Sequence, residues 1–210
     1  VRGDLDGAMK LFKEQEQICR KLGLKDSLQV SLGNQAGVLK VWGDLNGAME
    51  LLKEQEQICR EMGQKDGLSV SLGNQALILN VAGDLDGAMV LLGEQELICR
   101  EIGAKACLQA SFGNQANILA ARGDLDEAME LLKNVERTCH EIGMKEFLQA
   151  SIESQANILV IRRDLDGAMV LLEEQEQICR ELGLKDGLQR SFRNQALILT
   201  ALGDLDGAME

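Results

Sequence analysis

Histidine is almost missing from this chain, and so are aromatic side chains. His140 is the single histidine, proline and tyrosine are absent, and aromatic residues make up 2% of 210 positions. One histidine removes most Ser-His-Asp chemistry and most imidazole-based metal sites. No nucleophile stands beside a base, and no phosphate-cradling loop or metal cluster can be read. The expectation is a protein that is not an enzyme and needs no cofactor and no metal. Positive charge is scarce as well: 22 Lys and Arg stand against 34 Asp and Glu, a net charge of −12. Phosphate backbones and anionic membrane surfaces would repel such a chain, so neither nucleic acid nor membrane is an expected partner. Apolar runs are a few residues long, far short of the roughly 20 needed to span a bilayer. No secretory leader is legible at the start. With 45% apolar residues, the chain nevertheless has ample material for a core, against disorder.

What is present is repetition. Gly-Asp-Leu-Asp-Gly-Ala-Met or a close variant recurs at 3, 43, 83, 123, 163 and 203. Cys19, Cys59, Cys99, Cys139 and Cys179 share a second phase, and Gln35, Gln75, Gln115, Gln155 and Gln195 a third. The period is forty residues without insertion, and five periods plus ten residues account for 1–210. The expected organisation is a single array, cut from a longer one, because it opens and closes partway through a repeat.

Each period reads as two helices. Asp44 is a natural N-cap, whose carboxylate can accept from the free amides of the first turn. Ala48, Leu51, Leu52, Ile58, Cys59 and Met62 follow on one helical face, and Gly63 suits a left-handed cap. The partner helix starts near Asp26, where Asp26 and Gln29 have capping-box spacing, and buries Leu28, Leu32, Ala36, Leu39 and Trp42. Nothing alternates with period two, so strands have no support. We call the helix led by Asp26 the A helix and that led by Asp44 the B helix. A helix pair of this kind covers its apolar face by stacking on the next pair, which makes an all-α solenoid.

These residues resemble a tetratricopeptide repeat. The family's A-helix pattern of a large residue, a Leu-Gly pair and a Tyr is met by Leu32, Gln35-Ala36 and Leu39. Its B-helix Ala and Phe correspond to Ala48 and Leu52, and its inter-helix Gly to Gly43. The usual repeat has about 34 residues and closes with Pro; this one is longer and lacks Pro. The forty-residue form with Gly-Asn in the A helix is similar to Pins-type scaffolds and to helical arrays of bacterial signalling proteins. The resemblance implies a right-handed superhelix of antiparallel helix pairs, with A helices lining a concave groove that holds a protein or peptide.

The A helices at 27–42, 67–82, 107–122, 147–162 and 187–202 hold only Lys40, Arg122, Glu153, Arg162, Arg190 and Arg193 as charged residues, a sum of +4, against −16 for the other 130 positions. Placed as the resemblance implies, a mildly basic groove inside an acidic shell favours an acidic segment. Asn34, Asn74, Asn114 and Asn194 recur in one phase, Ser154 breaks it, and Asn117 and Asn157 lie one turn on. Amides both donate and accept, so such a row can hold an extended peptide backbone; a merely solvated row is the alternative. Arg190 and Arg193 cluster with Asn194 and would anchor a carboxylate, unless they pair with Glu153 or B-helix acids. Gly33, Gly73 and Gly113 point to close helix packing or to an approaching ligand backbone. Gln35 and Gln55, with their equivalents, are expected to bond each other or backbone, and Val135 to interrupt that ladder and send Gln155 elsewhere. Glu14, Glu16, Glu54 and Glu56 read as a solvated face.

Adjacent helices pack about 8–10 Å apart, too far for the in-phase cysteines to bridge along a stack, so they read as small core residues. Cys107, out of phase, is the expected exposed thiol. Many unpaired cysteines imply a reducing compartment, hence a cytoplasmic protein. The open ends carry complementary halves of one junction, which makes end-to-end self-association the alternative role.

Overall fold

The computed structural model describes residues 4–203, so Asp204 and the sixth B helix expected after it lie outside the described residues. The described residues form α1 (Leu5–Leu22), α2 (Lys25–Trp42), α3 (Leu45–Met62), α4 (Lys65–Ala82), α5 (Leu85–Ile102), α6 (Lys105–Arg122), α7 (Leu125–Ile142), α8 (Lys145–Ile161), α9 (Leu165–Leu182) and α10 (Lys185–Leu202). Odd-numbered helices are the B helices and even-numbered ones the A helices. The chain packs as two compact units, 1–111 and 112–210, with the boundary inside α6. Each unit is a run of stacked antiparallel helix pairs joined by very short turns.

The turns explain the regular period. Gly43 takes φ +84° and its N–H donates to the Lys40 carbonyl, while Asp44 N–H reaches the Leu39 carbonyl at 2.9 Å. That pair of bonds closes the A helix, and only glycine adopts the conformation without cost. Arg163 stands in the same phase with φ +63° and carries the steric penalty of a Cβ there. Arg163→Gly is therefore expected to stabilise unit 2 by about 1 kcal/mol, read as a rise in the midpoint of urea unfolding.

B helices are capped as their sequence suggests. The Asp4, Asp44, Asp84 and Asp164 carboxylates accept from the N–H of Gly7, Gly47, Gly87 and Gly167. A Cβ at Gly47 would stand 2.5 Å from Asp44 Oδ2, so glycine in this phase is what lets the carboxylate close on the amide. Glu127 replaces it in α7, and there Asp124 makes no side-chain cap bond. The A helices differ from expectation. Their caps are Leu24, Gln64, Met144 and Leu184, with no side-chain cap bond, and Asp26 lies one residue inside α2. Gln29 is not a capping partner but is buried, its Oε1 accepting from Gln55 Nε2 at 3.0 Å and Cys59 Sγ at 3.7 Å.

The core lies between A and B helices. Leu32, Leu52, Leu72, Leu92 and Ile152 are fully buried, and Ala36 meets Ala48 where the backbones approach. Trp42, expected in the core, is 46% exposed because it sits in the last turn of α2, outside that seam. A buried hydroxyl ties each A helix to the preceding B helix: Ser31, Ser71, Ser111, Ser151 and Ser191 donate to the carbonyls of Phe12, Leu52, Leu92, Leu132 and Leu172. Exposed Arg–Glu pairs such as Arg60 with Glu56 and Glu94 line the B helices and add little stability.

The amide ladder is real, with different partners. Gln35, Gln75, Gln155 and Gln195 donate to Glu16, Glu56, Glu136 and Glu176 on the preceding B helix. Gln155 thus keeps the partner of its equivalents despite Val135, and Glu16 and Glu56 are not merely solvated. Gln55 reaches Gln29, Gln95 reaches the Ser69 carbonyl, and Gln175 reaches Gln149 and Glu153. Burial pushes the Glu16 carboxyl up, but bonds from Gln35 and Arg20 outweigh it and hold the group below 4.5. The Gln195 bond does the same to Glu176. A depressed carboxyl stabilises the fold above its unfolded pKa, and that contribution disappears as pH falls through the folded value. Thermal midpoints should therefore fall on acidification below about pH 4.5, the ordinary glutamate value, and Gln195→Leu should flatten the dependence.

Candidate functional site

The A helices of each unit lie side by side. In unit 1, Lys40 Nζ on α2 donates to Asn74 Oδ1 on α4 at 2.9 Å, and burial pushes the Lys40 ammonium pKa down. Positions three or four apart form an outward stripe on each helix. On α2 the stripe holds Val30, Asn34, Gly37 and Val41; on α4 it holds Val70, Asn74, Leu77 and Val81. Val30 is 47% exposed, Val70 54% and Val81 71%. Exposed branched aliphatics beside amides make a face that can take apolar side chains while the amides bond a backbone. These valines were not singled out in the sequence. Their signal was present, because the phase of Val30 and Val70 lies one turn before the Asn phase.

In unit 2, Asn117 and Asn157 are exposed, while Asn114 and Asn194 are half-buried. Arg190 does not stand free: its Nε donates to both oxygens of Glu153, at 2.9 and 3.1 Å. Glu153 also accepts from the fully buried Gln175. Arg162 is paired with Asp126. Arg193 is exposed on α10. The structure thus places Arg193 and Arg190 on one helix, with only Arg190 committed to an internal acid.

Two glycines of the A helices are explained by packing. A Cβ on Gly33 would stand 2.8 Å from Gln55 Nε2, and one on Gly73 would stand 2.4 Å from Gln95 Nε2. Gly113 has open space around it, and Val135, shorter than glutamine, occupies the facing phase. Cys107 is not an exposed thiol. It forms a disulfide with Cys99, whereas Cys19, Cys59, Cys139 and Cys179 are free and buried. Among the described residues no group of His, Cys, Asp and Glu could hold a metal ion, and no helix is long and apolar enough to cross a membrane.

A family model described as the MalT-like TPR region matches residues 1–210. A comparison with curated proteins found no match. Among solved structures, BtubC (BKLC) from P. vanneervenii is similar at TM-score 0.78 and 18% identity, over 98% of this chain and 87% of that one. A Podosopora anserina kinesin light chain-like protein with nearly identical TPR-like repeats is similar at 0.65 and 21%, over 87% and 90% of the two chains. NprR, solved in complex with its cognate peptide NprX, is similar at 0.75 and 13%, over 96% of this chain and 59% of that one. At these identities the likeness is one of fold.

Proposed function

Because the chain belongs to the MalT-like TPR family, we propose that it is a non-catalytic interaction scaffold whose A-helix face binds an extended, acidic peptide segment. The observation that carries this reading is the stripe on α2 and α4, where the exposed Val30, Val41, Val70 and Val81 flank the exposed Asn34 and the half-buried Asn74. In unit 2, Asn114, Asn117, Asn157 and Asn194 form an amide row of its own, and Arg193 supplies an accessible cation, with Arg190 held by Glu153. NprR lends support as a protein of this fold solved with a peptide. Four buried free thiols suit a reducing, cytoplasmic setting. The reading includes no cofactor, metal, nucleic acid or membrane.

The test is selection of peptides from a random displayed library against the 210-residue chain. Acidic peptides with interspersed aliphatic residues should enrich. Asn34→Ala with Asn74→Ala, or Arg193→Glu, should weaken the best binder at least about tenfold, equivalent to about 1.4 kcal/mol. Enrichment of basic peptides, or binding indifferent to these changes, would overturn the reading.

A second reading, end-to-end self-association, has its own observation. Leu11, Ile18 and Leu22 on α1 are 65%, 57% and 63% exposed, whereas Ile58, in the phase of Ile18, is 8% exposed against Leu28 and Leu32. Phe192 on α10 is 45% exposed where Leu32, Leu72 and Ile152 are fully covered. In this reading the two faces act as the halves of an A-to-B junction, which a second copy would cover head to tail. Light scattering across a hundredfold concentration range should show mass climbing with concentration; a constant 22.9 kDa species would exclude it.

A further inference from the structure

At the Cys99–Cys107 pair, two departures from the repeat meet on a single buried side chain, that of Cys99. In the phase of Cys107 the other repeats carry Ser27, Gly67, Phe147 and Gly187. This phase faces the B-helix cysteine of its own hairpin: a Cβ on Gly67 would stand 2.7 Å from Cys59 Sγ, and one on Gly187 2.5 Å from Cys179 Sγ. The second departure is Ser69. Cys59 and Cys179 donate their S–H to the amide oxygens of Gln29 and Gln149, at 3.7 and 3.6 Å. In the phase of those glutamines Ser69 offers no amide oxygen to Cys99, and its own hydroxyl turns to the Asp66 carbonyl. Thus the repeat that loses the acceptor for its core thiol gains a second thiol beside it, with the Cα atoms 6.0 Å apart.

We propose that Cys99 and Cys107 form a reversible oxidation site, a dithiol that a peroxide converts to the disulfide joining α5 to α6. The other four cysteines are unsuited to this chemistry. All are buried, and burial pushes the Cys59, Cys139 and Cys179 thiols up, which keeps them protonated and unreactive. Cys107 is only half-buried and is the third residue of α6, in the turn whose free N–H groups form the positive end of the helix. The Cys107 sulfur attacks peroxide, forming an S–O bond as the O–O bond breaks and one water leaves. Cys99 then displaces the sulfenic oxygen, forming the S–S bond and releasing a second water. Two thiols are oxidised by two electrons and the peroxide is reduced to two waters. A dithiol reductant reverses the step by thiol–disulfide exchange. The consequence is confined to one hairpin: oxidation locks the first turn of α6 to the last turn of α5, and reduction frees it.

The experiment uses the 210-residue chain, reduced and then treated with stoichiometric hydrogen peroxide under native conditions. Thiol titration after denaturation should fall from six to four, since six cysteines are present and four stay free. Non-reducing tryptic mass analysis should show peptides 66–100 and 106–122 joined. Dithiothreitol should restore all six thiols without unfolding. Closing this short loop should raise the thermal midpoint by about 5 °C. Cys107→Gly, which installs the residue the repeat already uses at 67 and 187, should fold, keep five thiols after peroxide and show no such rise. Scrambled or intermolecular disulfides, six thiols surviving peroxide, or a bond that native dithiothreitol cannot reopen would each overturn the proposal.

Discussion

Leu52→Ala is expected to cost unit 1 about 3 kcal/mol, and to remove protection from amide exchange in α2, α3 and α4 together. Leu52 is fully buried and packs with Ala36, Ala48 and Ile78, so three helices converge on its side chain. Truncation removes its transfer free energy and leaves a cavity. Small neighbours such as alanine cannot fill that space without moving backbone. Repeat arrays draw their stability from nearest-neighbour interfaces, so the loss should be felt by the helices that share the seam. Urea unfolding measures the total, and exchange mass spectrometry shows where it falls. A loss below about 1 kcal/mol would mean that the seam collapses freely and is not close-packed.

Glu153→Ala couples stability to the proposed site. Its carboxylate accepts from Arg190 and from Gln175, which has no exposed surface. Removing it leaves the buried Gln175 amide with Gln149 alone and one N–H short of a partner, at a cost of roughly 1–3 kcal/mol, while the exposed Arg190 turns to solvent. The same change releases Arg190 onto the face that carries Arg193 and Asn194. Binding of a selected acidic peptide should then strengthen about threefold to tenfold, as a second guanidinium becomes available for a carboxylate. Urea unfolding and calorimetric titration read the two effects separately. Lower stability with unchanged or weaker peptide affinity would show that Arg190 serves packing alone.

Fold was legible in the sequence because the forty-residue period repeats every physical signal: the Asp cap, the apolar face and the αL glycine. Side chains that cross between helices were harder to read. Asp26 and Gln29 have capping-box spacing, yet Gln29 finds a better place against Gln55 and Cys59, where a buried amide needs partners. Glu16 and Glu56 sit among charged residues and look solvated, but each accepts from a glutamine nineteen positions later. Cys107 looked like a lone thiol because spacing along the stack excludes bridges between repeats; the bond it makes lies within one hairpin instead. The Asn row was visible from its phase alone. The valines beside it were not, because exposed and buried aliphatics look alike until a neighbouring helix is shown to cover one and not the other.

The measurement that bears most directly on the central claim is NMR of the asparagine and glutamine side-chain amides, with and without the best selected peptide. The account predicts that the NH2 signals of Asn34, Asn74, Asn117, Asn157 and Asn194 shift, while those of the exposed B-helix amides Gln57 and Gln177 stay in place. Shifts confined to Gln57, Gln177 and their neighbours, with the asparagines silent, would move the binding surface to the B helices and contradict the account.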